Sequence, residues 1–340
     1  MNYFGLTATL AISLVLSACG GGGGGGSATG GGSNGSVSGT IVSPSLPAFQ
    51  ASSIDSSVFI HSSAEPEVQS AFTRLNAERS QCGFGSLKQA TALDVAARNH
   101  ADWQNINNYS THSEVSGTQG YTGVSPLERT TYAGYAGVEV FEGLTRYVGR
   151  TSKAGLGEGE LRDLFLAPYH MLALLRGSRD VGIAIRSSVD VNANVGGVVT
   201  ELELGYLPAD GKQLPSTTDV LTYPCEGVTG TRRTLMGESP QVEAARNYIT
   251  NPTGQPIYIM VREGNVLAVT SFSLTDVLSG TSLVVKPLTF ANDRNGLTRS
   301  NEVILIPDTP LGSLKQYAVT INGTNAGVAF SRSFTFTTGT

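Results

Sequence analysis

Cysteine is scarce in this chain, with three in 340 residues, and histidine is hardly commoner, with four. The cysteines stand at 19, 82 and 225, so no Cys-x-x-Cys pair exists to nucleate a structural zinc site. His-Glu-x-x-His is absent, which removes a common metal-hydrolase signature. Basic runs are also missing. Lys and Arg number 22 against 27 Asp and Glu, a net charge of −5, so nucleic acid and anionic surfaces are poor partners. Past the N-terminus, no stretch is long and apolar enough to cross a bilayer. One Gly-x-Ser-x-Gly occurs, at Gly31–Gly35, but a nucleophile elbow needs a strand–turn–helix context. A glycine-rich stretch supplies none.

The N-terminus itself is informative. Leu6 to Leu16 is apolar apart from Thr7, Thr9 and Ser13, and too short to persist as a membrane span, so residues 1–18 read as a signal peptide. The segment ends in Leu16-Ser17-Ala18-Cys19, which resembles the lipobox of bacterial lipoproteins. Small residues at 17 and 18 would admit a signal peptidase, and the Cys19 thiol would take the diacylglycerol. No Lys or Arg precedes the apolar run, and a plain secretory signal with a chance cysteine is the other reading. Gly20 to Gly26 is unbroken glycine, and Ser, Gly and Thr dominate to Thr40. Such a spacer builds no core and reaches on the order of 25 Å. Gly20, where Asp would favour inner-membrane retention, resembles the outer-membrane sorting pattern. The expectation is an exported protein, lipid-anchored to the cell envelope at the outer membrane, with residues 19–62 as its tether.

Cys82 and Cys225 remain as an even pair in an oxidising compartment. A disulfide between them would close a loop of about 140 residues, worth roughly 5 kcal/mol in the chain-entropy picture. Two free thiols are the alternative.

Roughly 280 residues follow the tether, enough for two domains. In the first, residues 63–228, Val68, Ala71, Phe72 and Leu75 recur at helical spacing between Pro66 and Gly83. Leu93, Ala96, Ala97, His100 and Trp103 mark the face of a second helix, on which His100 and Trp103 read as core. Residues 105–135 read as one long polar loop. Helical patterns follow at Leu161–Leu166 and His170–Leu175, split by Pro168. Val181, Ile183 and Ile185, then Leu202, Leu204 and Tyr206, alternate as strands. Helices followed by strands imply helices packed on a mainly antiparallel sheet.

The second module, residues 229–340, opens with a possible short helix at Pro240–Ile249 and continues as short strands. These are Ile257–Val261, Val266–Val269, Leu283–Val285, Val303–Ile306, Tyr317–Ile321 and Phe330–Phe336, with turns at Glu263-Gly264-Asn265 and Asn322-Gly323. The pattern predicts a β-sandwich. The closing stretch, from Pro310-Leu311 to Phe334-Thr335-Phe336-Thr337-Thr338, resembles bacterial immunoglobulin-like domains.

The first module resembles the CAP superfamily of cysteine-rich secretory, antigen 5 and pathogenesis-related proteins. The resemblance rests on Leu75-Asn76-Ala77-Glu78-Arg79, Leu93-Asp94-Val95-Ala96-Ala97 with His100-Ala101, Thr111-His112, Arg129, Ala133-Gly134-Tyr135, Glu139, and Ala167-Pro168-Tyr169-His170. It implies an α-β-α sandwich, so the whole chain is expected as α+β, a CAP-like sandwich followed by an all-β immunoglobulin-like one. It also implies a cavity lined by two His and two Glu. By position these are His112, His170 and Glu139, with Glu160 the nearest candidate for the second Glu and Glu158 behind it.

Two imidazoles can hold a divalent metal such as zinc, with Glu139 or Glu160 as a further ligand, and the alternative is a polar cluster in which a carboxylate holds each ring. No catalytic residue is assigned. His61 carries no motif, and Glu114 reads as a solvated carboxylate near His112. The functional expectation is a membrane-anchored binding or interaction protein, taking a metal, a small apolar ligand or envelope components. A metal-assisted hydrolase acting on peptide or envelope substrates and a structural or adhesive envelope protein are the alternatives.

Overall fold

The computed structural model of the protein describes residues 53–150, 152–188 and 197–340. The expected signal peptide, Cys19 and the glycine spacer lie outside the described residues.

Helix α1 (Pro66–Gln81) buries Val68, Ala71, Phe72 and Leu75, the face predicted from their spacing. Pro66 sits in its first turn, where the missing N–H has no intrahelical partner to lose. Helix α2 (Thr91–Asn107) buries Leu93, Ala96, Ala97, His100 and Trp103. A third helix, α3 (Pro126–Tyr132), falls inside the stretch expected to be a loop. Its start is a capping box: Ser125 accepts from the Glu128 backbone N–H, and Glu128 reaches back to the backbone of Ser125. Helices α4 (Leu156–Leu166) and α5 (Pro168–Leu175) are separated at Ala167, whose extended backbone follows from standing before a proline.

Four strands form the first sheet, in the order β1 (Lys88–Gln89), β3 (Asp180–Ser187), β4 (Gly197–Tyr206), β2 (Glu139–Val148). β4 pairs antiparallel with both β3 and β2, and the short β1 runs parallel to β3. Gly182 shows which face carries α2, because a side chain there would meet the backbone of Leu93 and Asp94. The residues of the opposite parity face α4 and α5, as the approach of Leu164 and Leu174 to Gly143 shows. Helices therefore cover both faces of the sheet, the α-β-α sandwich expected.

The rest of the chain is all β, in two four-stranded sheets. One has the order β5 (Val220–Tyr223), β7 (Ile257–Val261), β10 (Glu302–Pro307), β9 (Val285–Thr289). The other has the order β6 (Thr229–Thr231), β12 (Val328–Thr338), β11 (Gln316–Asn325), β8 (Leu267–Asp276). In β11 the buried residues alternate through Tyr317, Val319 and Ile321, as one inward face requires. In β7 and β10 every residue is buried. That burial has a simple cause: one face meets the second sheet and the other meets the helices of the first module. Tyr258 stacks on Phe84, and Phe165 of α4 stacks on Tyr223 with ring centres 4.5 Å apart.

Three expectations are corrected. Residues 240–249 form turns rather than a helix, because Asn247 accepts from the N–H groups of Ile249 and Thr250 and draws the backbone out of register. Asn322-Gly323 is no turn but lies within β11 at a register shift, where a side chain on Gly323 would strike the carbonyl of Ala268. The turn is made by Ala326 and Gly327, both at positive φ. Finally, β5 precedes the expected seam at 228/229, yet it pairs with β7 in the all-β unit. Cys82 and Cys225 form a disulfide, which ties the end of α1 to the loop after β5.

Candidate functional site

The period of two along β2 decides which carboxylate meets the histidines. Glu139 and Glu142 are three residues apart and so point to opposite faces of the sheet. Glu142 lies on the α2 face, fully buried, and accepts from Nδ1 of His112 and from the guanidinium of Arg129. Glu139 instead pairs with Arg299 and Lys212 at the seam between the modules. The expected cavity position of Glu139 is therefore corrected to Glu142, a residue the sequence reading passed over because no strand was assigned to 139–148.

Glu142 stands directly across from Glu203 on β4, and Glu201 lies two residues along the same face. All three carboxyl groups are buried, with one guanidinium, Arg129, among them. Burial opposes ionisation of Glu142, but Arg129, His100 and His112 outweigh it and hold this group well below the usual carboxylate range. Burial and the Glu142 charge push Glu201 and Glu203 well above the usual carboxylate range, which favours their protonated forms. Burial also lowers His112 to about 4, against the attraction of Glu142. A neutral His112 beside an ionised Glu142 must carry its proton on Nδ1. Nε2 is then left with a lone pair, buried and without a hydrogen bond.

His170 is delivered by α5, and its ring centre lies 5.9 Å from that of His112. It is fully buried, and neither ring nitrogen has a hydrogen bond. It lines a cavity of about 140 Å³ whose wall includes Thr145, Tyr147 and Leu164 from the first module and Leu235 and Met236 from the second. Glu160, the other expected cavity carboxylate, is buried on α4 and accepts from Thr145 in that wall. Among the described residues, no hydrogen bond or ion pair joins it to either histidine. Burial, eased by the Thr145 bond, raises it to about 8. Glu158 is outside the cluster, paired with Arg74 and Arg162.

His100 is the satisfied core histidine expected, with Nδ1 bonded to Glu114 and Nε2 to the carbonyl of Thr111, both at 3.0 Å. Glu114 is not solvated. It is buried and also accepts from the backbone of Thr122 and Gly123, pinning the loop that carries His112. Among the described residues, His100, Glu142 and Glu201 place ligand atoms within 4.8 Å of one another. In the metal-free protein both His100 nitrogens are engaged, Glu142 serves His112 and Arg129, and burial pushes Glu201 upward. His61, for its part, bonds Asp94 at 3.2 Å.

The other imidazole pair is His112 with His170, and among the described residues no third His, Cys, Asp or Glu completes with them a group whose ligand atoms all lie within 4.8 Å. Two imidazoles sharing one zinc at about 2.0–2.1 Å from each nitrogen hold their ring centres about 5–6 Å apart. The donor set would be Nε2 of His112 and one nitrogen of His170.

The sheet is mixed and covered by helices on both faces, with a loop histidine and a helix histidine meeting at its β2 edge. The sequence model of the cysteine-rich secretory protein family, CAP, matches residues 72–197, and the chain carries that domain. Among solved structures, a DUF4426 family protein from Pseudomonas aeruginosa PAO1 aligns at 13% identity over 38% of this chain and 97% of that one. Its TM-score of 0.21 is too low for the likeness to say anything of this chain. No curated protein matches. Among the described residues no helix is long and apolar enough to cross a membrane.

Proposed function

We propose that this protein is an exported, envelope-tethered binding protein whose CAP domain holds a divalent cation, zinc in the first instance, between His112 and His170. The observation that carries the reading is the pair of buried imidazoles with ring centres 5.9 Å apart and three nitrogens that make no hydrogen bond. A buried polar atom without a partner costs about 1–3 kcal/mol, and a bound ion would offset that cost. The adjoining cavity, apolar on most of its wall, offers room for a small ligand beside the ion. The Cys82–Cys225 disulfide is consistent with an oxidising compartment, and the Leu16-Ser17-Ala18-Cys19 sequence supplies the address and the anchor.

Calorimetric titration of the metal-free protein with zinc tests the reading. The wild type should bind one ion, and the His112→Ala, His170→Ala double variant should lose both the heat and the rise in melting temperature. Equal heats and equal melting shifts in the two proteins would reject it.

A further inference from the structure

The cavity beside His170, about 140 Å³, is shared between the two modules. Leu164, Leu166 and Ala167 reach it from the first, and Leu235 and Met236 from the second. All of these are buried except Met236, which is 48 % exposed and so stands at the mouth. Among the apolar side chains lies His170, wholly buried, with no hydrogen bond at either ring nitrogen. Thr145, also on the wall, has given its hydrogen to Glu160 and presents only lone pairs.

We infer that this cavity takes a small neutral molecule with one ring and one hydroxyl group, of the phenol or cyclohexanol kind, whose hydroxyl bonds to His170. The inference rests on the small-ligand part of the reading above and not on its cation.

Size sets the first limit. Drug-sized ligands fill pockets of about 300–1,000 Å³, whereas an apolar cavity of about 150 Å³ holds benzene. A single six-membered ring therefore matches this space, and a long chain or fused rings do not. Polarity sets the second. An unbonded buried polar group costs about 1–3 kcal/mol, so a wholly apolar guest would leave the His170 ring unmet. A hydroxyl both donates and accepts, and so meets whichever nitrogen of a neutral imidazole faces the cavity. Charge sets the third. Asp163 lines the cavity, Glu160 stands behind Thr145, and Glu238 places Oε2 3.6 Å from Nδ1 of His170, so an anion would meet three carboxyl groups. A cation fares no better. The carboxylate on the wall, Asp163, is already paired with Arg232 at 2.6 Å, and the cation would exchange water for Leu, Ala and Met side chains.

The test titrates the metal-free full chain with phenol, benzene, benzoate and benzylamine, read by calorimetry and by melting temperature. Wild type should bind phenol, and should bind benzoate and benzylamine about tenfold more weakly or worse. His170→Leu removes the hydrogen-bonding ring at similar volume. It should weaken phenol about tenfold and leave benzene within about threefold. Ala167→Leu fills the cavity and should abolish binding of both. Met236→Trp narrows the half-exposed mouth without touching the core, and should weaken both probes even if Ala167→Leu fails to fold. Phenol held as tightly by His170→Leu as by wild type, or benzoate or benzylamine held more tightly than phenol, would overturn the inference and leave a small-ligand cavity of other chemistry. A wild type that takes none of the four probes would overturn the small-ligand reading with it, while the zinc titration would still decide the cation.

Discussion

Arg176, just past α5, makes a two-point ion pair with Glu302 of β10, Nε to Oε1 at 2.8 Å and Nη2 to Oε2 at 2.6 Å, with both side chains almost wholly buried. Tyr258 donates to the same carboxylate at 2.9 Å, and Arg176 also reaches the carbonyl of Leu297. The pair joins the first module to the sandwich. Removing one partner strands the other charge, so Glu302→Ala should cost about 3–5 kcal/mol in denaturant unfolding. Replacing both with apolar residues, Arg176→Met with Glu302→Leu, should recover most of the loss. A double variant as unstable as the single one would show that the packing, not the stranded charge, carries the effect.

The disulfide spans a sequence separation of 143 residues across the same seam. Closing so long a loop stabilises by roughly 5 kcal/mol at most in the entropic picture, and engineered losses usually fall nearer 2–4. Cys82→Ser, Cys225→Ser should therefore unfold at markedly lower denaturant, and the reducing agent that lowers the wild-type midpoint should leave the variant unmoved.

Helical spacing carried much of the fold in advance. Val68, Ala71, Phe72 and Leu75 announce α1 because a single apolar stripe faces one core. The β2 strand stayed hidden because both its faces are largely buried and both carry charge: Glu142 and Arg146 share one face with Leu144, and Glu139 shares the other with Phe141, so no apolar–polar alternation can be read. Once β2 is missed, nothing separates Glu139 from Glu142, since only the pleat tells which of them meets His112. The histidines were legible through the residues around them, Thr111-His112 and Pro168-Tyr169-His170. The contact of Glu238 with the Tyr169 backbone was not, because it is created by the docking of a second module, at a sequence separation of 69 that no local pattern records.

Burial of Glu160 makes stability depend on pH in a defined sense. Its folded value of about 8 lies above its ordinary value of 4.5, so the native state holds a proton that the unfolded chain gives up. That contribution is complete below about 4.5 and is lost as pH rises towards 8. Glu160→Gln removes the proton from the balance while keeping an acceptor for Thr145. At pH 5 the variant and wild type should melt alike, and at pH 8 the variant should be the more stable by on the order of 2–4 kcal/mol. A gap that does not widen with pH would show that Glu160 is ionised in the folded protein.

His112 works in the opposite direction. Its folded value of about 4 lies below the ordinary 6.5, so the unfolded chain binds the extra proton and the native state loses stability as pH falls from 6.5 towards 4. His112→Gln should flatten this acid limb in thermal melts between those values. Because the Nε2 lone pair exists only on the neutral ring, zinc should hold poorly below pH 4 and show no gain from His112 above pH 6.5.

The three carboxyl groups around Arg129 offer the sharpest check of the buried charge assignment. Arg129, His100 and His112 hold Glu142 towards its ionised form, while burial and the Glu142 charge push Glu203, 3.8 Å from the same guanidinium, towards the neutral acid. If Glu142 becomes Gln, Arg129 loses its counter-charge but Glu203 is placed to ionise in its stead, its proton no longer held by a neighbouring anion. The single variant should then cost about 1–2 kcal/mol, less than the loss of a buried ion pair without a substitute. Glu203→Gln alone should cost little, since an amide replaces a neutral acid of the same shape. The double variant leaves no carboxylate directly across from the strand position of Glu142 and should cost at least 3 kcal/mol, more than the sum of the two. That excess in a double-mutant cycle measures the handover of charge between the two residues. Additive losses would mean that Glu203 stays protonated whatever happens at Glu142, and that Arg129 draws its balance from Glu201 or Glu114 instead.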